Sequence, residues 1–301
     1  MIAALFPGQG SQTVGMAKDF YENSPAAKAV LDEAEEALPG LLQLMWEGPA
    51  ETLQLTANQQ PALVAAGAAA YAAYLEAGGT PPSYGAGHSL GEFTAHVAST
   101  ALTISQAVRL VRKRGEYMQT AVPEGVGAMD AIMKLDKEKI EAVCKETPGV
   151  VELANLNALK QTVISGEAKA VEAASETLKA QGARVIPLKV SAPFHCSLMR
   201  PAAEALAKDL ALTNFTAPSF TIVCNVTADV LTDVRQAADL LEQQVTSPVR
   251  WVESVFKLKE LGVTKYIEFG SGKVLTGLVG RILGEVEARA VVDMTSLREA
   301  L

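Results

Sequence analysis

Cysteine is scarce in this 301-residue chain: Cys144, Cys196 and Cys224 are odd in number and far apart. That excludes a disulfide framework and a cysteine zinc set, and it fits a reducing cytoplasm. Histidine is equally rare, so any imidazole chemistry must use His88, His96 or His195. Basic residues are outnumbered 26 to 34, for a formal net charge of −8, which argues against binding nucleic acid or an anionic membrane surface. The longest apolar run, residues 62–75, is alanine-rich and too short to span a bilayer. Met1 leads straight into an apolar strand and the first basic residue is Lys18, so no secretory leader is expected. Repeats and low-complexity tails are also missing.

Apolar residues are plentiful, at 49% of the chain, and imply a well-buried core. The length allows two domains, or one large domain carrying an insertion. The periodicity predicts a strand at 2–6, a helix over 59–77 stopped by Gly78-Gly79, a strand at 84–87 and a helix from 92. Another helix covers 104–121, closed by Pro123 and Gly125. The rhythm then changes. Strands at 127–133, 150–155, 162–165 and 184–190 alternate with helices at 136–145 and 167–181, the β-α-β-β-α-β order of a ferredoxin-like unit. After Pro193 come a helix at 198–211, a strand at 221–225 and helices through 261. A strand at 265–269, a helix at 274–283 and a strand at 288–293 complete the pattern. The expected architecture is α/β: a parallel sheet over residues 1–124 and 192–301, with a small inserted α+β subdomain at 125–191.

The most informative motif is Gly87-His88-Ser89-Leu90-Gly91, with a strand before it and a helix after. The chain must turn sharply at Ser89, leaving no room for bulk at 87 or 91. Such a nucleophile elbow lifts a hydroxyl from the sheet edge toward a pocket. It also sets the serine at a helix N-terminus, where free N–H groups favour developing negative charge. An ordinary glycine-flanked turn carries the same pattern, so both readings stay open.

A nucleophilic serine needs a base. The His88 side chain is expected to leave the elbow in another direction. His96 lies two helical turns on, about 10 Å away, and reads as a partly buried helix-face residue. His195 remains, in the loop Ala192-Pro193-Phe194-His195-Cys196 at the end of the insert, where a sheet presents catalytic groups. A structural histidine is the competing reading.

On a helical wheel, Ile104, Ala107, Val108, Leu110, Val111, Gly115 and Met118 form an apolar stripe. Arg109, Arg112 and Lys113 fall outside it, but Arg114 falls inside, roughly 50° from its centre. An inward guanidinium requires an anion. The pattern leaves two: an internal Asp or Glu, or a substrate carboxylate gripped by the arginine fork.

With these residues in hand, the chain resembles the malonyl-CoA:acyl carrier protein transacylases nearly end to end. The landmarks are Phe6-Pro7-Gly8-Gln9-Gly10-Ser11-Gln12, Gln60-Pro61-Ala62, Gly87-His88-Ser89-Leu90-Gly91-Glu92 and Arg114-Gly115-Glu116-Tyr117-Met118-Gln119. They continue with Ala192-Pro193-Phe194-His195-Cys196, Pro248-Val249-Arg250-Trp251 and Gly272-Lys273-Val274-Leu275. The resemblance implies an α/β-hydrolase-like core with a ferredoxin-like insertion, and ping-pong transfer of malonyl from malonyl-CoA to holo acyl carrier protein. By the same resemblance Ser89 is the nucleophile, His195 the base, and the backbone carbonyl of Gln244 orients the histidine. Gln9 and Leu90 supply oxyanion N–H groups, Arg114 holds the malonyl carboxylate, and Gln60 and Asn157 match pocket positions. It further implies a cytoplasmic monomer without metal or cofactor. Ala158-Leu159 and Gly270-Ser271-Gly272-Lys273 depart from the usual pattern at the expected rim, where they bear on carrier preference.

The rival readings are a serine esterase or thioesterase, with Asp130 or Asp136 as a formal triad acid, and an acyltransferase of polyketide synthesis or malonate decarboxylation. An inactive carrier-docking scaffold is the non-enzymatic option. Bulky Phe194 is expected to crowd a 2-methyl group, favouring malonyl over methylmalonyl. Lys189, Lys273 and Arg281 are candidates for docking an acidic carrier.

Overall fold

The computed structural model describes residues 1–123, 125–190 and 192–301. Its strands are β1 (Ile2–Phe6), β2 (Tyr84–Gly87), β3 (Gly127–Met133), β4 (Val151–Ala158), β5 (Gln161–Glu167), β6 (Arg184–Pro187), β7 (Thr221–Val223), β8 (Lys265–Phe269) and β9 (Glu287–Val291). Two sheets form. The first is wholly parallel, in the order β7-β2-β1-β8-β9, and the second is antiparallel, in the order β4-β5-β3-β6. The α/β-hydrolase-like core and the inserted ferredoxin-like unit read from the sequence are both present. Glu124 and Ser191, where the expected domain boundaries fall, lie outside the described residues.

The alanine-rich run forms the middle of helix Thr56–Glu76, which is buried on nearly every side. Alanine suits that place because neighbours approach closely. A Cβ on Gly67 would stand 2.8 Å from Thr94 Cγ2 and 3.4 Å from the Phe269 carbonyl oxygen. Helix Ile104–Thr120 starts at a Thr103–Gln106 capping box and buries the predicted stripe, Arg114 included. Gly115 lets it press against the start of helix Thr56–Glu76, since a Cβ there would meet Ala57 Cα at 2.6 Å.

Some expectations need correction. The strand predicted at 184–190 ends at Pro187, and the chain beyond it leaves the sheet toward the cleft described below. The strand predicted at 221–225 ends at Val223. The last strand stops at Val291, because Asp293 caps helix Met294–Ala300, which was not foreseen. Helices Lys18–Asn23, Pro25–Ala37, Leu41–Glu47 and Ala50–Leu53 were also not foreseen, although Ser24 caps the second of them ahead of Pro25.

The antiparallel sheet is tied to the core at Val249, which lies outside every strand. Its N–H donates to the Ala154 carbonyl (2.8 Å), and its carbonyl accepts from Leu156 N–H (2.9 Å).

Candidate active site

Ser89 lies two residues past β2, at the C-terminal end of the parallel sheet, where open α/β folds place ligands. Its backbone is forced to φ +52°. The flanking glycines are explained by contact. A Cβ on Gly87 would stand 1.8 Å from Gly91 C, and one on Gly91 would stand 1.9 Å from the Phe6 carbonyl oxygen. The Ser89 N–H donates to Asn225 Oδ1 (2.7 Å), while Asn225 Nδ2 donates to the Gly87 carbonyl (2.6 Å). One asparagine therefore braces both sides of the turn.

The Ser89 Oγ lies 2.7 Å from His195 Nε2, and His195 Nδ1 lies 2.9 Å from the Gln244 carbonyl oxygen. A carbonyl only accepts, so Nδ1 carries the proton and Nε2 is free to take one from the serine. Burial, together with the Arg114 charge, lowers the His195 pKa to about 3, which leaves the ring neutral at physiological pH. Neither formal triad acid reaches the histidine. Asp130 accepts from Ser175 Oγ (2.5 Å) and Asp136 pairs with Lys160.

Arg114 is fully buried. Nη1 donates to Gln60 Oε1 (2.9 Å), and Nη2 donates to Gln244 Oε1 (3.0 Å) and Ser89 Oγ (3.3 Å). The guanidinium carbon sits 5.4 Å from the Phe93 ring centroid. No carboxylate pairs with it among the described residues, and its Nε–H has no partner. Nε shares an edge of the planar group with Nη2, so the edge next to the serine keeps an unused donor. Burial lowers the Arg114 pKa to about 10, and Glu92 opposes that shift, so the group stays charged at neutral pH.

Leu90 begins helix Leu90–Ala98 and Gln9 lies in the loop after β1. Among the described residues, neither backbone N–H donates to a protein acceptor, whereas the Gln9 side chain is engaged with Gln59 and Gln60. Free N–H groups beside a nucleophile are what an oxyanion requires. His88 turns away as expected, with Nε2 2.7 Å from Asn157 Oδ1. Asn157 therefore fixes His88, Gln60 supports Arg114, and it is Asn155 that reaches the cleft wall. His96 is buried against Phe215, outside the site.

A cleft of about 680 Å³ opens over Ser89 and His195, walled by Gln9, His88, Asn155 and Phe194, with Lys189 at its edge. Ser89, His195 and Gln9 face this cleft, while the Arg114 guanidinium lies fully buried behind its floor, 3.3 Å from the Ser89 hydroxyl that does reach it.

Residues 4–300 match the acyl transferase domain family. The chain belongs to that family. It is 48% identical to the malonyl CoA-acyl carrier protein transacylase of Bacillus subtilis, covering 100% of this chain and 96% of the relative. It is 44% identical to the Escherichia coli K12 protein of the same name, covering 99% and 98%. An acyl carrier protein S-malonyltransferase from Vibrio cholerae superposes with a TM-score of 0.97 at 44% identity, covering 100% and 99%. A malonyl-transacylase solved in complex with a type II polyketide-synthase acyl carrier protein superposes at 0.96, also at 44% identity, covering 100% and 98%. Within this acyl transferase site, sequence reasoning missed Asn225, Glu92 and the side chain of Gln244. Glu92 stood next to the elbow motif, but nothing local marked it as buried.

Proposed function

We propose that the protein transfers malonyl from malonyl-CoA to the phosphopantetheine thiol of an acyl carrier protein, through a malonyl ester on Ser89. The observation that carries this reading is the unpaired, buried Arg114 reaching within hydrogen-bond distance of the Ser89 hydroxyl. A neutral acyl group gives such a guanidinium nothing to bind, whereas the free carboxylate of malonate fits its fork.

In the first half-reaction Ser89 Oγ attacks the thioester carbon as its proton passes to His195 Nε2. The Gln9 and Leu90 N–H groups receive the oxyanion, a contribution of about 3–4 kcal/mol per donor in serine enzymes. The C–S bond breaks, the histidine protonates the departing CoA thiolate, and malonate remains as the ester. The carrier thiol then gives its proton to His195, attacks the ester and regenerates the serine. Malonate on Arg114 also cancels one of the charges that depress His195 basicity. Its chemistry needs no metal or bound cofactor, since the phosphopantetheine arrives with the acceptor. We place the reaction in the cytoplasm and assign the protein as a monomer. Phe194 in the cleft wall favours malonyl over methylmalonyl.

The test supplies the protein with radiolabelled malonyl-CoA, with and without holo carrier protein from fatty acid and polyketide systems. Label is expected on Ser89, lost in Ser89→Ala and chased to the carrier. Rapid CoA release without acceptor would instead identify a hydrolase, and equal turnover of methylmalonyl-CoA would remove the role given to Phe194.

A further inference from the structure

Arg114 has no carboxylate partner, yet a carboxylate stands one side chain away. Glu92 is buried, and the Gln244 amide lies between the two. Gln244 Oε1 accepts from Arg114 Nη2 (3.0 Å), while its Nε2 donates to Glu92 Oε2 (2.7 Å) and to the Ser89 carbonyl (3.1 Å). A guanidinium only donates and a carboxylate only accepts, so these neighbours fix which way round the amide lies. Glu92 is anchored in turn by the Asn225 N–H (3.1 Å) and the Cys224 thiol. Burial lifts its carboxyl to about 7, against those hydrogen bonds and the Arg114 charge.

Contact between a buried carboxylate and Arg114 would satisfy the fork internally, and a substrate anion would have to displace it. The neutral amide avoids this. We propose that Gln244 is an insulating amide that sets acyl specificity, holding Arg114 over Ser89 by a neutral oxygen and keeping Glu92 one side chain back. The guanidinium edge next to the serine is thereby left for the substrate carboxylate. Gln244 acts here through Arg114, as a positioning residue, apart from the carbonyl it offers His195. This inference rests on the malonyl-transfer reading above.

Two variants test it: Gln244→Glu alone, and Gln244→Glu combined with Glu92→Gln. The combination exchanges the two groups while conserving one carboxylate, one amide and the net charge. For each, kcat and KM are measured with malonyl-CoA and acetyl-CoA, alongside thermal melting. Gln244→Glu is expected to raise KM for malonyl-CoA and to lower the malonyl-to-acetyl ratio of kcat/KM by about 10- to 100-fold. Loss of the donor to the Ser89 carbonyl weighs on both acyl groups alike, so the ratio isolates the fork. The exchanged variant is expected to melt below the unaltered protein by about the one hydrogen bond lost at the Ser89 carbonyl, and to keep the low ratio. If Gln244→Glu does not fold, the exchanged variant decides. Retained malonyl preference overturns the proposal. An exchanged variant that fails to fold overturns it too, because the exchange conserves one carboxylate, one amide and the net charge and is held to remove only that one hydrogen bond. An unaltered protein that does not transfer malonyl defeats the transfer reading instead.

Discussion

Ser89 Oγ and His195 Nε2 stand 2.7 Å apart, and both residues hold positive-φ backbones, at +52° and +59°. Neither is glycine, so each conformation costs on the order of 1–3 kcal/mol and persists only because its surroundings over-determine it. Asn225 and Gln244 grip the serine's N–H and carbonyl, and the Gln244 carbonyl accepts a hydrogen bond from the imidazole Nδ1–H. Backbone strain and hydrogen bonds together hold the pair at reacting distance before any acyl group arrives.

Removing the fork should discriminate between acyl groups. Arg114→Ala is expected to lower malonyl-transfer kcat/KM by about two to three orders of magnitude while sparing or improving acetyl transfer. Steady-state assays with both CoA esters check this. Equal losses would make the arginine structural.

Removing the brace should not discriminate. Asn225→Ala leaves the buried Ser89 N–H without its acceptor, at a cost of about 1–3 kcal/mol of stability. Malonyl and acetyl transfer are expected to fall together, and urea unfolding read beside the two assays tests both parts.

Gly91→Ala puts a methyl group 1.9 Å from the Phe6 carbonyl oxygen, with backbone on both sides of the clash. Destabilisation by more than about 4 kcal/mol is expected, read as loss of soluble protein or of the unfolding transition. A stable, active Gly91→Ala protein would contradict the elbow packing.

His96 gives a pH signature remote from the chemistry. It is buried with Nδ1 unpartnered, and burial lowers its pKa from 6.5 to about 4. A depressed histidine pKa means that the unfolded chain binds the extra proton, so stability is lost as pH falls below about 6.5 toward 4. The loss from this residue is roughly 3 kcal/mol. His96→Leu is expected to make the acid-side fall in urea midpoints shallower between pH 7 and 4.5, leaving the share that buried His195 contributes, and an unchanged slope would mean that His96 carries none of it.

The serine and the arginine were legible in the sequence for local reasons, and His195 by elimination among three histidines. Glycines at 87 and 91 report a turn that admits no side chain, and Arg114 betrays itself by falling inside an apolar stripe. Asn225, Glu92 and the Gln244 side chain were not legible, because each gains meaning only when distant segments close around the elbow. Asn225 sits 136 residues from Ser89 in the chain, just past a three-residue strand whose extent was overestimated. Helices Lys18–Asn23, Leu41–Glu47 and Ala50–Leu53 are too short for their periodicity to register, whereas the 13-residue Pro25–Ala37 carried a readable start in Ser24 and Pro25 and was overlooked. Asp130 and Asp136 looked available as triad acids only because their partners, Ser175 and Lys160, are remote in sequence.

Residues 244–249 both orient the imidazole and bond to β4 of the antiparallel sheet. The direction in which His195 points is therefore tied, through six residues of chain, to the placement of the small sheet.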